Sequence, residues 1–394
     1  MQDPTCWGRR LIPIWSKRRL GDIAHTYSGG TPSVSKKEYY GGMIPFIRSA
    51  EINSEETQLR LTEAGLTNSS AKMVQAGQIL FALYGATAGE VGIARVDGAI
   101  NQAILALDTD EETVGFLAQW LQMSKRSILD TYLQGGQGNL SGQIVKDLEV
   151  VLPAKPPERG TIGGFFATLD ALIAANQRKA AQLEKLKRAY LQRLFPARGD
   201  KAPRLRFLGC VGDWRRQRAR HIFSQVVEKG RPDLPVISAT QDNGVVFRDG
   251  LGKDIRYDAV SLPSFKVVHP GDFIISLRSF QGGFELSDKL GIGSPAYSVF
   301  VASEPTAQAN LFWKEFFKTP RFIELLKTIT YGIRDGRSIS FSEFGGLFLA
   351  CPPVREQEQI GSSLHALDRL IQSQKAKVAR MHILKQAYLQ KMFA

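Results

Sequence analysis

The chain is poor in cysteine. Cys6, Cys210 and Cys351 are odd in number and far apart in 394 residues, which argues against a disulfide framework and for a reducing cytoplasm. No apolar run reaches 18 residues, so no membrane span is expected. The opening MQDPTCWGRRLIPIWSKRR has neither a continuous apolar segment nor a small-residue cleavage site, so no secretory signal is expected. Signatures of catalysis are missing too. There is no GxxxxGK[ST] loop for ATP phosphates, and no GxGxxG opens a helix after a strand. The acidic-x-Lys element of common metal-dependent nucleases does not occur. The two Pro-Pro pairs, Lys155-Pro156-Pro157-Glu158 and Cys351-Pro352-Pro353-Val354, do not fit the Asn/Asp/Ser-Pro-Pro-aromatic motif of amino-methyltransferases. His25, His221, His269, His365 and His382 stand alone, outside any HExxH or CxxC-type grouping. These absences describe a protein without chemistry, metal or cofactor of its own.

What the sequence has in excess is positive charge. The formal net charge is +13, and from Lys155 to Arg220 there are 16 Lys and Arg against 5 Asp and Glu. Such an imbalance points to a polyanionic partner, although a solvated helix face also carries charge.

It also has itself twice. The stretch Ile162–Phe195 aligns without a gap to Ile360–Phe393, an offset of 198, with 15 of 34 positions identical. A repeat spaced by half the chain is one structural unit used twice. Ile162, Leu169, Asn176, Leu183 and Tyr190 lie seven apart, as do Ile360, Leu367, Gln374, Met381 and Tyr388. Phe166, Ile173, Ala180 and Leu194, with Leu364, Ile371, Val378 and Met392, occupy the neighbouring position of each seam. A seven-residue apolar period predicts two long helices forming a coiled coil, each opening at a Pro-Pro break where helices start and do not continue. Asn176 and Gln374 place an amide at the same seam position, where burial would set register. Leu172, Leu186, Leu370 and Leu384 flank the seams. Two ordinary amphipathic helices on two cores remain the alternative.

The repeat reaches further, since the basic cluster Trp15–Ile23 matches Trp214–Ile222, and Ala76–Phe81 resembles Pro270–Ile275. The remainder shares little sequence. It reads as strand-rich: 79–84, 91–96, 236–239, 265–268 and 297–302 are short β-type runs, and 116–124 and 313–328 read as short helices. Loops are expected at Ser28–Ser33, Gly135–Ser141 and Tyr331–Ser338.

Two unlike domains, each followed by a copy of a helix with a Leu-Asp-x-Leu-Ile core, resemble the specificity subunit of type I restriction–modification systems. The match rests on Ser28-Gly29-Gly30-Thr31-Pro32-Ser33, Gly77-Gln78-Ile79-Leu80, Asn101-Gln102, Gly138-Asn139-Leu140-Ser141, and the blocks at Asp170-Ala171-Leu172-Ile173 and Asp368-Arg369-Leu370-Ile371. In the second half Gly230-Arg231-Pro232 replaces Gly29-Gly30-Thr31-Pro32. The resemblance implies an α+β chain in four segments: target-recognition domain 1 at 1–155, a first spacer helix at 156–197, a linker with target-recognition domain 2 at 198–353, and a second spacer helix at 354–394. It implies helices packed as an antiparallel coiled coil, and double-stranded DNA read as a split site. Further partners would be methyltransferase subunits, two in number, and motor-nuclease subunits. S-adenosylmethionine, ATP and Mg would serve those partners, with no cofactor on this chain.

Loop residues with base-reading chemistry are the candidate DNA contacts: Arg suits guanine, and Gln and Asn suit adenine. In the first half these are Ser28, Gly29, Gly30, Thr31, Arg48, Tyr84, Gln137 and Asn139. In the second they are Gln241, Arg278, Gln281, Tyr331, Arg334 and Arg337. The candidate helix-pairing or partner contacts are Leu169, Leu172, Ile173, Asn176, Leu183, Leu186 and Tyr190, with Leu367, Leu370, Ile371, Gln374, Met381, Leu384 and Tyr388. A stand-alone duplicated DNA-binding or anti-restriction protein, and a coiled-coil adaptor that binds protein, are the competing readings.

Overall fold

The computed structural model describes residues 15–133, 139–240, 244–248, 259–276, 283–330 and 339–393. Met1–Asn176 with Lys377–Ala394 form one compact unit, and Gln177–Ala376 form a second. The units cut across the four sequence segments, because each long helix contributes residues to both.

In the first unit Trp15–Arg19 pairs antiparallel with Glu149–Pro153. A four-stranded antiparallel sheet follows in the order His25–Ser28, Ile104–Asp108, Ile79–Ala82, Val91–Ile93. A second sheet runs Leu59–Leu61, Tyr40–Ile47, Gly98–Ile100, Lys72–Val74, with one parallel pairing between Tyr40–Ile47 and Gly98–Ile100. The strand Ile79–Ala82 is buried on both faces, which is why it reads as a continuous apolar run instead of alternating.

The helix expected at 116–124 extends over Glu111–Tyr132. Its start lies beyond the apolar periodicity, at Asp110, whose carboxylate accepts the Thr113 N–H at 2.9 Å. Glu111 and Glu112 in the first turn complement the helix dipole. The helix expected at 313–328 is two helices, Asn310–Phe316 and Pro320–Thr330. Pro320 ends the first, since proline has no N–H to continue a helix and is at home in a first turn.

The second unit repeats the strand order. Arg215–Arg218 pairs with Phe348–Cys351. Phe223–Val226, Ser298–Ala302, Phe273–Ile275 and Phe284–Leu286 form the antiparallel sheet. The remaining strands are the hairpin Ile237–Thr240 with Gly244–Phe247 and the pair Lys266–Val268 with Gly291–Gly293. A parallel bridge between Val236 and Ile292 occupies the place of the parallel pairing in the first unit. Halves with little common sequence thus have one topology.

The long helices span Pro156–Arg193 and Val354–Met392. Within the first unit, Phe165 meets the Tyr388 ring edge-on at 5.1 Å, and Lys385 Nζ lies 2.7 Å from Asp170. Within the second, Lys187 Nζ is 2.7 Å from Asp368, and Lys375 reaches Glu184 at 2.6 Å. Numbers rise on one helix as they fall on the other, so the segments run antiparallel in each unit. Phe166, Leu169, Ile173 and Ala180 are buried on the first helix, with Leu194 just past its end, and Ile360, Leu364, Leu367 and Ile371 on the second. Leu183, Asn176, Gln374 and Met381 are half-buried. The Asn176 amide donates to the Leu172 carbonyl of its own helix at 2.7 Å, so the amide expected to be buried at the seam is only half sequestered. Leu172, Leu186, Leu370, Leu384, Tyr190 and Tyr388 are exposed. The four leucines stand one position off the apolar period, where a helix turns a side chain away from the packed stripe, whereas Tyr190 and Tyr388 lie on the period and are exposed nonetheless.

The same glycine seats each helix. A Cβ on Gly163 would stand 2.7 Å from the Phe116 nitrogen, and one on Gly361 would stand 2.6 Å from the Phe312 nitrogen. The repeated Ile-Gly that opens both copies is therefore a point of backbone approach.

Candidate nucleic-acid interface

In the first unit, four loop stretches converge on one polar edge. Ser28 ends its strand opposite Leu105, and the chain then turns through Gly29 and Gly30, with the Gly30 N–H donating to the Ile100 carbonyl at 3.1 Å. A Cβ on Gly29 would stand 1.9 Å from the Ile100 carbonyl oxygen, and one on Gly30 the same distance from Ser70 Oγ. Packing alone therefore requires glycine at both places, which delivers Thr31 to the surface. The Thr31 hydroxyl donates to Gln102 Oε1, and the Gln102 amide lies beside the Tyr84 phenol. Burial raises the Tyr84 hydroxyl above the usual tyrosine value, and the neighbouring Gln102 amide partly opposes this. Tyr84 forms an antiparallel bridge with Asn139, and the Leu140 N–H donates to the Leu83 carbonyl at 2.9 Å.

Ser28, Thr31, Gln102 and Asn139 are exposed, and Tyr84 is half-buried. The edge therefore presents two hydroxyls, two carboxamides and a phenol. Amides and hydroxyls donate and accept at base edges and phosphate oxygens. Gln102 was absent from the candidate contacts, although Asn101-Gln102 contributed to the resemblance. The signal was a polar pair set between two apolar strands.

Arg48 is placed differently. Its guanidinium engages Glu51 at 3.1 and 3.2 Å and Gln58 at 2.7 Å. Burial opposes charge on Glu51, but hydrogen bonds from Arg48 and the Gln58 N–H outweigh it and hold the carboxyl below its usual range. A fork so occupied must be released before it can address a base.

Gln137 and, in the second half, Gln241, Arg278, Gln281, Tyr331, Arg334 and Arg337 lie outside the described residues. The registers still relate the two halves. Ile79 pairs with Ile93 as Phe273 pairs with Leu286, so Arg278 holds the sequence position of Tyr84. Ser141 and Ser340 both cap short helices through their hydroxyls, which aligns the candidate loops before them. Among the described residues no group of three or more His, Cys, Asp or Glu is arranged to hold a metal ion, and no helix is long and apolar enough to cross a membrane.

Comparison with known proteins agrees with this architecture. Residues 14–185 match the family described as type I restriction modification DNA specificity domain. The type I restriction enzyme MjaIX specificity subunit of Methanocaldococcus jannaschii is 27% identical over 184 residues, covering 44% of this chain and 41% of that one. The HindI specificity subunit of Haemophilus influenzae is 30% identical over 149 residues, covering 36% of this chain and 32% of that one. These matches therefore span less than half the length of either relative. The structure of a type I restriction–modification S subunit from M. genitalium superposes with a TM-score of 0.66 over 98% of this chain and 97% of that chain, at 14% identity. At that identity the likeness is one of fold.

Proposed function

We propose that this protein, whose residues 14–185 match the type I restriction modification DNA specificity domain, is the non-catalytic specificity subunit of such a system, with each unit reading one half of a split DNA site. The observation that carries this reading is the repetition of one strand topology in two units whose surface loops differ. A shared scaffold with divergent loops suits one task performed on two sequences. In the first unit the readers are Ser28, Thr31, Tyr84, Gln102 and Asn139, with the amides addressing adenine. In the second they fall at Gln241, Arg278, Gln281, Tyr331, Arg334 and Arg337.

The long helices act as a spacer and pair as an antiparallel coiled coil. At about 1.5 Å per residue each is roughly 57 Å long, sufficient to set half-sites about one turn of DNA, ~34 Å, apart. The exposed leucines recur at the repeat offset: Leu172 with Leu370, Leu186 with Leu384, and Tyr190 with Tyr388. Duplicated apolar positions facing solvent suit two copies of one partner, here two methyltransferase subunits. A motor-nuclease subunit joins the assembly for cleavage. Adenine methylation with S-adenosylmethionine, and ATP- and Mg-dependent translocation, belong to those partners.

The test is co-expression with the neighbouring methyltransferase subunit, followed by methylome sequencing. Adenine methylation at a split motif with a fixed gap supports the reading. Two soluble chains that do not associate overturn it.

A further inference from the structure

The basic ribbon of the second unit differs from its counterpart in one informative way. In the first unit Lys17 lies on Trp15–Arg19 and is ion-paired with Glu149 on the facing strand. The registers Arg19 with Glu149 and Arg218 with Phe348 make Lys17 equivalent to Arg216, and Glu149 to Phe348. The carboxylate is therefore replaced by a phenyl ring. Phe348 is 46% exposed, and the guanidinium carbons of Arg216 and Arg218 lie 5.8 and 5.1 Å from its centroid. A guanidinium resting on an aromatic face keeps its N–H fork free for a planar or tetrahedral anion. Among the described residues no carboxylate is within ion-pairing distance of either arginine.

The ribbon also borders a cleft of about 420 Å³, where Arg198, Arg216 and Arg321 face Phe316, Phe322 and Phe348, and Glu324 is the single carboxylate of the lining. Arg321 is anchored by the Pro196 carbonyl at 2.7 Å and by the Ala197 carbonyl at 2.5 Å. Three arginines at one concave edge repel one another unless an anion bridges them.

We propose that the Arg216–Phe348–Arg218 platform, with the adjoining arginine cleft, is a sequence-independent phosphate contact of the second unit and takes the DNA backbone. This rests on the DNA-reading function above and adds a surface outside the reading loops. Arginine forks match phosphate oxygens bidentately, and backbone contacts orient a reader without specifying sequence.

The experiment measures binding by the full chain, co-expressed with its methyltransferase, of two duplexes of equal length across a salt series. One duplex carries the methylated motif and the other a scrambled sequence. Arg216→Ala with Arg218→Ala should weaken both duplexes alike, by about tenfold, and lower the salt slope by about 2, since each lost phosphate contact removes roughly 0.9. Arg216→Lys with Arg218→Lys retains charge without the fork and should fall between. Phe348→Glu, which installs the carboxylate of the first unit, should resemble the alanine pair. Unchanged affinity and slope in the folded variants overturn the proposal. So does loss confined to the motif duplex, or loss of methyltransferase association with DNA affinity intact, which would mark a protein-docking face. A wild-type complex that fails to distinguish the duplexes would instead indict the underlying specificity reading.

Discussion

The two units share a skeleton and fill it differently. Phe81 faces Val91 in the first unit, and Ile275 faces Phe284 at the equivalent pair in the second. The ring has crossed to the neighbouring strand and the summed volume is nearly unchanged. Elsewhere the second unit is simply larger inside. Ile79 becomes Phe273, and the second core gathers Phe223, Phe300, Phe312, Trp313, Phe317, Phe322 and Phe344, where the first relies on Leu20, Leu105, Leu107, Leu117 and Leu121. Rings there meet mostly edge-on, as Phe284 and Phe322 do at 5.0 Å and 90°, a geometry aromatic quadrupoles favour. A fold tolerates such exchange when pattern and volume are kept.

The sharpest contrast is electrostatic. In the second unit Lys187 is held by Asp368 at 2.7 Å and by Glu315 at 2.9 Å. The approach to Glu315 Oε2 is an ion pair by distance but not a well-directed hydrogen bond. In the first unit the same places hold Lys385, Asp170 and Gln119, with the Gln119 amide donating to Asp170 at 2.9 Å. A second carboxylate in one half is a neutral amide in the other. Glu315→Ala strips the half-buried Lys187 of one of its two carboxylate partners and should cost about 1–3 kcal/mol. Gln119→Ala removes one hydrogen bond and should cost about 1 kcal/mol. Denaturant unfolding of the full chain compares them, and equal losses would show that the nodes are equivalent after all. Glu315→Gln should be milder than Glu315→Ala, because it reproduces the arrangement of the first unit.

The node also carries a pH signature. Burial disfavours charge on Lys187, but Glu315 and Asp368 outweigh it and hold the ammonium above the usual lysine value of 10.5. A raised folded value means that the contribution is complete below pH 10.5 and is lost as pH rises through the folded value. Stability measured from pH 7 to 11 should therefore fall more at the alkaline end in wild type than in Lys187→Met.

Where the halves agree, substitutions should agree. Gly163→Ala and Gly361→Ala each push a methyl onto a backbone nitrogen, and each should cost about 1–3 kcal/mol. A large asymmetry in thermal unfolding would mean that the two helix seats are not equivalent. Gln102→Ala should leave unfolding unchanged and relax discrimination at one half-site by about 1–3 kcal/mol. Altered methylation at both half-sites would break the assignment of one unit to one half-site. Among the core changes the smallest loss is expected from transplanting the pair: Phe81→Ile with Val91→Phe copies the second unit into the first and should cost under about 1.5 kcal/mol, less than either single change.

Much of this was readable in the chain. The heptads placed both long helices to within a few residues, because burial of one stripe imposes a period that survives substitution. Short apolar runs located the strands at 79–82, 91–93 and 298–302, since each is buried and bounded by turn residues. The start of Glu111–Tyr132 was hidden because it lies outside the apolar stripe and is set by the Asp110 cap and by the charge of Glu111 and Glu112.

By itself the sequence determined that one unit is used twice, that two long helices begin at Pro-Pro breaks, and that the balance of charge is basic. These are local or periodic properties, carried by residues close together along the chain. Tertiary structure alone decided the rest. It paired Lys187 with Glu315 and Lys385 with Asp170, set Thr31, Gln102 and Tyr84 side by side, and gave two dissimilar sequences one strand order. The reason is physical: strand pairing and charge pairing depend on which distant residues meet, and one core shape can be filled by many combinations of side chains.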